Sequence, residues 1–136
     1  MSDDMEIAED LRAAVGDFVR QVRAYETMPP GQAGALGHLV REGPLSIADL
    51  ARRERVKHQS MTRTVGLLES QGLVTLAPAE HDRRQMVVAV TGAGAARLGE
   101  QRQVRAGRIA EAMATLGAEE RELVARIPAI IRKLTP

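Results

Sequence analysis

Five basic residues lie in one twelve-residue stretch of this sequence, from Arg52 to Arg63, and Glu54 is the single acidic residue among them. The resulting local charge of +4 attracts polyanions such as nucleic acids at long range. A solvated helix face also carries runs of charge, so the charge alone leaves the two interpretations equally open. The types of the residues in and after this stretch distinguish a nucleic-acid-binding surface from a solvated helix face.

The stretch HQSMTRTVGLLESQG, which begins at His58, has the spacing of an amphipathic helix. Met61, Val65 and Leu68 recur at offsets of four and seven residues and predict an inward face. The opposite face carries hydroxyl, amide and guanidinium groups, which can hydrogen bond to base edges or phosphates. An ordinary amphipathic helix with a polar outside is the alternative. The candidate DNA contacts in and just before this predicted recognition helix, about residues 58–71, are Lys57, His58, Gln59, Ser60, Thr62 and Arg63.

Two β-rich runs, LVTLA and MVVAV, follow this helix, and the eight residues PAEHDRRQ separate them. They predict a hairpin, or wing, over about residues 73–91, with a loop too long for a tight turn. Arg83 and Arg84 fall at the tip of this loop, where an arginine can enter a minor groove without disturbing a core. His81 and Asp82 precede the pair and are expected to orient it. These four residues are the candidate DNA contacts of the wing.

A helix-turn-helix motif needs a first helix ahead of the recognition helix, and LSIADLARRERV has the features of one. The hydroxyl of Ser46 can accept a hydrogen bond from the amide three residues on, and Asp49 falls in the first turn, so the helix is expected to begin here. A short turn at residues 54–57 ends it. Ser46 and the basic residues Arg52 and Arg53 are predicted to contact the DNA backbone.

Helical segments flank this motif on both sides. Residues 7–25 have helical periodicity, PPGQAGALGHLV forms a shorter helix that Gly43 and Pro44 close, and Thr91 caps a final helical region that Gly117 interrupts. The predicted order is four helices, a hairpin and two helices. The apolar stripes of the first and last helices are too long for so small a core to cover, so we expect two chains to bury them. The last stripe consists of Leu123, Val124, Ile127, Ile130, Ile131 and Leu134.

The composition argues against several other classes of protein. The chain has 136 residues, 44% of them hydrophobic and 27% charged, which is the balance of one globular domain. Cysteine is absent, and the three histidines fall in different elements without a partner at metal-ligand spacing. We therefore expect no metal, no cofactor and no enzymatic activity. No apolar run reaches the about 18 residues of a membrane span, and the acidic start is no secretory signal, so a cytoplasmic protein without membrane contact is expected.

In this combination the sequence resembles the MarR family of winged helix-turn-helix transcriptional regulators over essentially its whole length. The matching stretches are LSIADLARRERV, QSMTRTVGLLESQGLV and HDRRQMVVAVT, of which the last is the most distinctive. The resemblance implies a mainly α fold with a small antiparallel β wing in a single domain, 1–136. Within it, residues 30–91 would form the DNA-binding lobe, and residues 1–27 and 92–136 the helical dimerisation arms. The recognition helix would enter the major groove and a wing arginine the adjacent minor groove.

The resemblance also implies a function and partners. The protein would be a homodimeric repressor that binds a palindromic operator in double-stranded DNA and responds to a small anionic or aromatic ligand. The polar residues expected to line the ligand pocket are Arg20, Arg23, Tyr25, His38 and Arg97. The alternative for these five residues is that they are solvated or paired with the acidic N-terminal arm. The alternative is a module that uses the same fold for protein contacts or ligand sequestration without specific DNA binding. Steep salt dependence and sequence preference in duplex binding would distinguish the two.

Overall fold

A computed structural model describes residues 2–24 and 26–135. The chain is mostly helical with one small antiparallel sheet, which confirms the predicted fold class. The helices are α1 (Ser2–Arg23), α2 (Pro30–Glu42), α3 (Ile47–Glu54), α4 (His58–Ser70), α5 (Gly92–Ala112) and α6 (Ala118–Leu134), and a 3-10 turn at Met113–Thr115 precedes α6. The strands are β1 (Leu45–Ser46), β2 (Val74–Pro78) and β3 (Met86–Val90).

The chain forms two compact units, which we call the lobe and the arm unit. The lobe is Tyr25–Gln103, and the arm unit consists of Met1–Ala24 and Val104–Pro136. Helix α5 therefore begins in the lobe and ends in the arm unit. All the buried apolar residues among those described, from Met28 to Leu98, belong to the lobe.

The core of the lobe lies where α2, α3 and α4 pack together against the sheet. Met61, Val65 and Leu68 all face this core, which confirms the inward face predicted for α4. Leu36 and Leu50, from α2 and α3, are completely buried beside them. Burial of a leucine or valine side chain stabilises the fold by about 1.5–3 kcal/mol, so this cluster fixes the face that α4 turns to solvent.

The sheet has the strand order β1-β3-β2, with both pairs antiparallel. The sequence predicts only the hairpin, because β1 is two residues long and shows no alternation. Pro78 pairs with Met86 at the end of the hairpin, so the loop comprises residues 79–85 and the predicted eight-residue loop is one residue too long. A proline fits there because β2 is an edge strand and its missing N–H leaves no gap within the sheet.

Capping residues set the ends of the elements around α3 and α4, and those at Ser46 and Thr91 are as predicted. The Ser46 hydroxyl accepts a hydrogen bond from the Asp49 amide at 3.0 Å, and α3 begins at the next residue. Gly72, in the turn that follows α4, has φ +75°, a conformation that glycine adopts without strain. The Thr91 hydroxyl accepts from the Gly94 amide at 3.0 Å and donates to the Gly72 carbonyl at 2.7 Å. This one side chain therefore joins the start of α5 to the end of α4.

The turn between α3 and α4 contains a left-handed backbone conformation that the sequence does not predict. Arg55 has φ 56° and ψ 46°, and it is the single non-glycine residue with a positive φ in the described part of the chain. The amide of Val56 donates to the carbonyl of Ala51 at 3.0 Å and closes α3. A left-handed backbone costs a residue with a Cβ roughly 1–2 kcal/mol.

The arm unit presents its apolar side chains to solvent in the single chain. Helix α6 has no buried residue, and Leu123 and Ile130 are 60% and 52% exposed. On α1, Ile7, Val15 and Phe18 are also exposed. Large apolar faces of this kind mark interaction surfaces.

Candidate nucleic-acid interface

The outward face of α4 carries the polar groups that the sequence predicts for it. Gln59, Ser60, Thr62 and Arg63 are all exposed, opposite the buried stripe of the same helix. The Thr62 hydroxyl donates to the His58 carbonyl at 3.0 Å, so one of these groups already has a partner within the helix. The N-terminal half of α4 is thus a surface of exposed amide, hydroxyl and guanidinium groups on a rigid element.

The loop of the wing is ordered by hydrogen bonds around Asp82. An Asp82 carboxylate oxygen accepts from the amide of Arg84 at 3.0 Å, and the Asp82 carbonyl accepts from the amide of Gln85 at 3.0 Å. The amide of Ala79 donates to the Gln85 carbonyl at 2.8 Å and closes the loop. Asp82 therefore shapes the backbone that carries the arginines, which explains an acidic residue beside a proposed phosphate contact.

The side chains of Arg83 and Arg84 are exposed, as are those of Lys57 and Arg63. Within the described ranges, no salt bridge involves any of these four cations. Cations that have no internal partner can release counterions and bind phosphate without first breaking an ion pair. The wing and α4 belong to the same compact lobe, so one folded unit carries all four cations.

The three residues predicted to contact the DNA backbone are already engaged within the protein. Ser46 is only 9% exposed and its hydroxyl caps α3, so we remove it from the candidate interface. Arg52 forms an ion pair with Asp49, and the Arg53 Nε donates to a Glu42 carboxylate oxygen at 2.7 Å. Asp49 lies three residues before Arg52 on the same helix, whereas Glu42 comes close to Arg53 only because α3 packs beside α2.

A polar cluster that the sequence analysis missed joins α2 to α3. His38 Nε2 lies 2.9 Å from a Glu54 carboxylate oxygen, and His38 Nδ1 lies 3.1 Å from Arg41 Nη2 and 3.5 Å from a Glu42 oxygen. The Glu54 carboxylate also covers Gly34, where any Cβ would overlap it. Gly34 therefore leaves room for the Glu54 carboxylate against α2.

The residues predicted to line a ligand pocket are divided between the two units. Arg20 and Arg23 belong to the arm unit, and Arg20 forms an ion pair with Asp17. His38 and Arg97 belong to the lobe, and both nitrogens of His38 already have polar neighbours. Tyr25 lies outside the described residues. These five positions do not define a site within either unit.

The pKa of Glu42 is lowered from its ordinary value of 4.5. The main cause is the hydrogen bond from Arg53. Desolvation is the next largest effect and opposes it, and the charge of Arg53 and the hydrogen bond and charge of His38 also lower the pKa. A carboxyl group whose pKa falls on folding stabilises the folded state above its unfolded pKa. That contribution is lost as the pH falls through the lowered pKa.

We therefore expect E42Q to melt at a lower temperature than the wild type near pH 7, with a difference that shrinks as the pH falls below 4.5. The effect is small, since an exposed ion pair is weakened by solvent and salt. Thermal denaturation of both proteins across this pH range measures it. A difference in Tm that stays constant with pH would show that the Glu42–Arg53 pair does not stabilise the fold.

Helix-turn-helix, wing and exposed cations together define a winged helix-turn-helix protein of the DNA-binding class. A model of the MarR family matches residues 27–85, which include α2, α3, α4 and β2. The chain is 37% identical over 127 residues to the HTH-type transcriptional regulator Mb0904 of Mycobacterium bovis, which covers 91% of this chain and 89% of the relative. The chain belongs to the MarR family of transcriptional regulators, which are not enzymes.

Two solved structures share the fold at lower sequence identity. A mutant of MarR from E. coli superposes with a TM-score of 0.78 at 22% identity, covering 95% of this chain and 96% of that one. BpsR of Bordetella bronchiseptica, whose DNA binding is regulated by 6-hydroxynicotinic acid, superposes with a TM-score of 0.64 at 20% identity. The match covers 95% of this chain and 92% of BpsR. Among the described residues, no helix is long and apolar enough to cross a membrane.

Proposed function

We propose that this MarR-family regulator is a homodimeric repressor that binds a palindromic operator in double-stranded DNA. The observation that carries the proposal is the set of exposed cations on α4 and the wing of one compact lobe, for which the described part of the chain offers no salt-bridge partner. In a helix-turn-helix protein the N-terminal residues of the second helix reach base edges in the major groove. We assign that role to the exposed face of α4 and the minor-groove contact to the wing arginines.

The proposed dimer rests on the exposed apolar faces of α1 and α6. MarR-family regulators act as dimers, and residues 1–27 and 92–136 of this chain are our proposed dimerisation arms. Two copies of the same face can cover one another in an isologous interface. A two-fold dimer places two recognition helices about 34–36 Å apart, one turn of the duplex, which is why the operator should be a palindrome.

Selection of bound fragments from random duplex DNA at physiological salt tests the proposed function. We expect an enriched inverted repeat whose half-sites are one helical turn apart. Enrichment of no sequence, or of a single unrepeated site, would contradict a dimeric sequence-specific regulator. It would favour a module that uses this fold for protein contacts.

Replacement of Arg84 by alanine should weaken binding to all duplexes alike. The change removes a wing cation and should reduce the slope of log K against log salt by about 0.9 for each lost phosphate contact. Replacement of Gln59 or Arg63 should instead cost about 1–3 kcal/mol at one operator position and relax the preference there. Titration of each variant against the operator and its single-base variants, at several salt concentrations, separates the two behaviours. Uniform losses in all three variants would mean that α4 only contacts phosphates.

We also propose that a small anionic aromatic ligand modulates DNA binding. Support comes from the regulation of BpsR by 6-hydroxynicotinic acid. A ligand changes operator affinity only by binding the DNA-free conformation and the DNA-bound conformation with different affinities. Titration of the protein–operator complex with 6-hydroxynicotinate provides a first test, and an operator affinity unchanged by ligands of this class would remove the proposal.

A further inference from the structure

We propose that Arg55, in the turn between α3 and α4, binds a DNA phosphate. This contact would explain why an arginine occupies a position whose backbone conformation suits glycine. The inference rests on the proposed DNA binding of the lobe and adds a contact to it. Arg55 lies within LSIADLARRERV, a stretch that resembles the family, but it is not among the residues predicted to contact DNA.

The backbone at this position does not call for an arginine. Arg55 is left-handed, with φ 56°, and the two glycines with positive φ, Gly43 and Gly72, occupy the ends of α2 and α4. Its amide donates to the carbonyl of Arg52 at 3.2 Å, a bond that any residue except proline can make. Glycine would close the helix in the same way without the steric cost of a Cβ. The side chain therefore has to account for the choice of residue.

The side chain of Arg55 is exposed, and among the described residues it has no hydrogen-bond or salt-bridge partner. Its two basic neighbours on α3 differ, because Arg52 pairs with Asp49 and Arg53 pairs with Glu42. Of the three arginines at this end of α3, Arg55 is the one whose guanidinium can bind an external anion without breaking an internal ion pair.

The position of Arg55 in the motif places it beside the DNA backbone. It lies three residues before His58, where α4 begins. In helix-turn-helix complexes the first helix crosses the backbone and the second enters the groove N-terminus first. The intervening turn accordingly lies near the phosphates that border the groove. A guanidinium can donate two parallel hydrogen bonds to a phosphate, so the arginine fits this environment.

The inference predicts that R55G is more stable than the wild type but binds DNA more weakly. Relief of the left-handed strain should raise Tm by about 2–4 °C at a fixed protein concentration. Loss of a phosphate contact should reduce the salt slope by about 0.9 per protomer. If the contact contributes nothing to affinity at about 1 M salt, this change in slope means that R55G binds DNA roughly eightfold more weakly per protomer at about 0.1 M salt.

Three further variants complete the test. R55N tolerates the left-handed backbone and lacks the charge, so it should reproduce both effects of R55G. R55K should keep the wild-type salt slope without the gain in Tm. R132Q removes one charge from α6, outside the winged helix-turn-helix, and should leave the slope unchanged. Thermal denaturation and salt-dependent titration against the selected operator are the two measurements.

The outcomes separate this inference from the proposed function. Wild-type protein that binds the operator, together with R55G of equal affinity and salt slope, would overturn the role of Arg55 and leave the proposed function standing. A lower Tm for both R55G and R55N would overturn the strain argument. Wild-type protein that binds no duplex at all would overturn both proposals.

Discussion

Replacement of Ile127 by glutamate should dissociate the protein into monomers. Ile127 lies at the centre of the apolar stripe of α6 and is 46% exposed in the single chain. In a two-fold dimer each copy of the change would bury an unpaired carboxylate against apolar side chains. An uncompensated buried charge costs about 3–5 kcal/mol, so the dissociation constant of the dimer should rise at least about a hundredfold.

Sedimentation equilibrium over a range of protein concentrations measures this constant. A125E is the matched control, because Ala125 is exposed on the opposite face of the same helix and the change adds the same charge. It should leave the dimer intact. I127E should also bind the operator more weakly, because a monomer reaches only one half-site. A125E should keep the operator affinity of the wild type. A wild-type protein that is a folded monomer at micromolar concentration would contradict the proposed assembly.

Replacement of Gly94 by alanine should destabilise the lobe strongly. A Cβ at this position would overlap the carbonyl oxygen of Leu73 and lie 2.8 Å from a methyl carbon of Val90. The Leu73 carbonyl cannot easily move, because it accepts a hydrogen bond from the amide of Thr91 at 3.0 Å. The start of α5 would have to shift away from the end of α4. We expect a net loss of at least about 2 kcal/mol, or on the order of 6–10 °C in Tm.

G99A on the same helix is the matched control. A Cβ at Gly99 would meet nothing within 4 Å, so alanine should stabilise α5 by up to about 1 kcal/mol through its higher helix propensity. The two changes are chemically identical and should have opposite signs in thermal denaturation. A G94A protein as stable as the wild type would mean that α5 does not pack closely against the end of α4.

The helices, the caps and the inward face of α4 could be predicted because they depend on residues close together in the sequence. Met61, Val65 and Leu68 mark the buried face through their spacing, and Ser46 and Thr91 are capping residues by type. Strand β1 could not be predicted, because two residues carry no periodicity and its pairing with β3 spans about forty residues of sequence.

The electrostatic state of each basic residue also depends on the folded structure. Arg52, Arg53 and Arg55 are indistinguishable by type, yet the first two form ion pairs and the third has no salt-bridge partner among the described residues. The pairing of Arg53 with Glu42 joins α2 to α3 across eleven residues of sequence, and no local pattern announces it. The left-handed backbone of Arg55 is similarly invisible in a sequence where glycine would be its usual signal.

The most direct test of DNA-binding function is the affinity of the wild-type protein for the selected operator and for a duplex of the same composition in shuffled order, measured across a range of salt concentrations. If each protomer contacts three or four phosphates, the slope of log K against log salt should be about −5 to −7. The operator should be bound at least about a thousandfold more tightly than the shuffled duplex. Equal affinity for both duplexes, or a slope near zero, would contradict the assignment of this chain as a sequence-specific DNA-binding regulator.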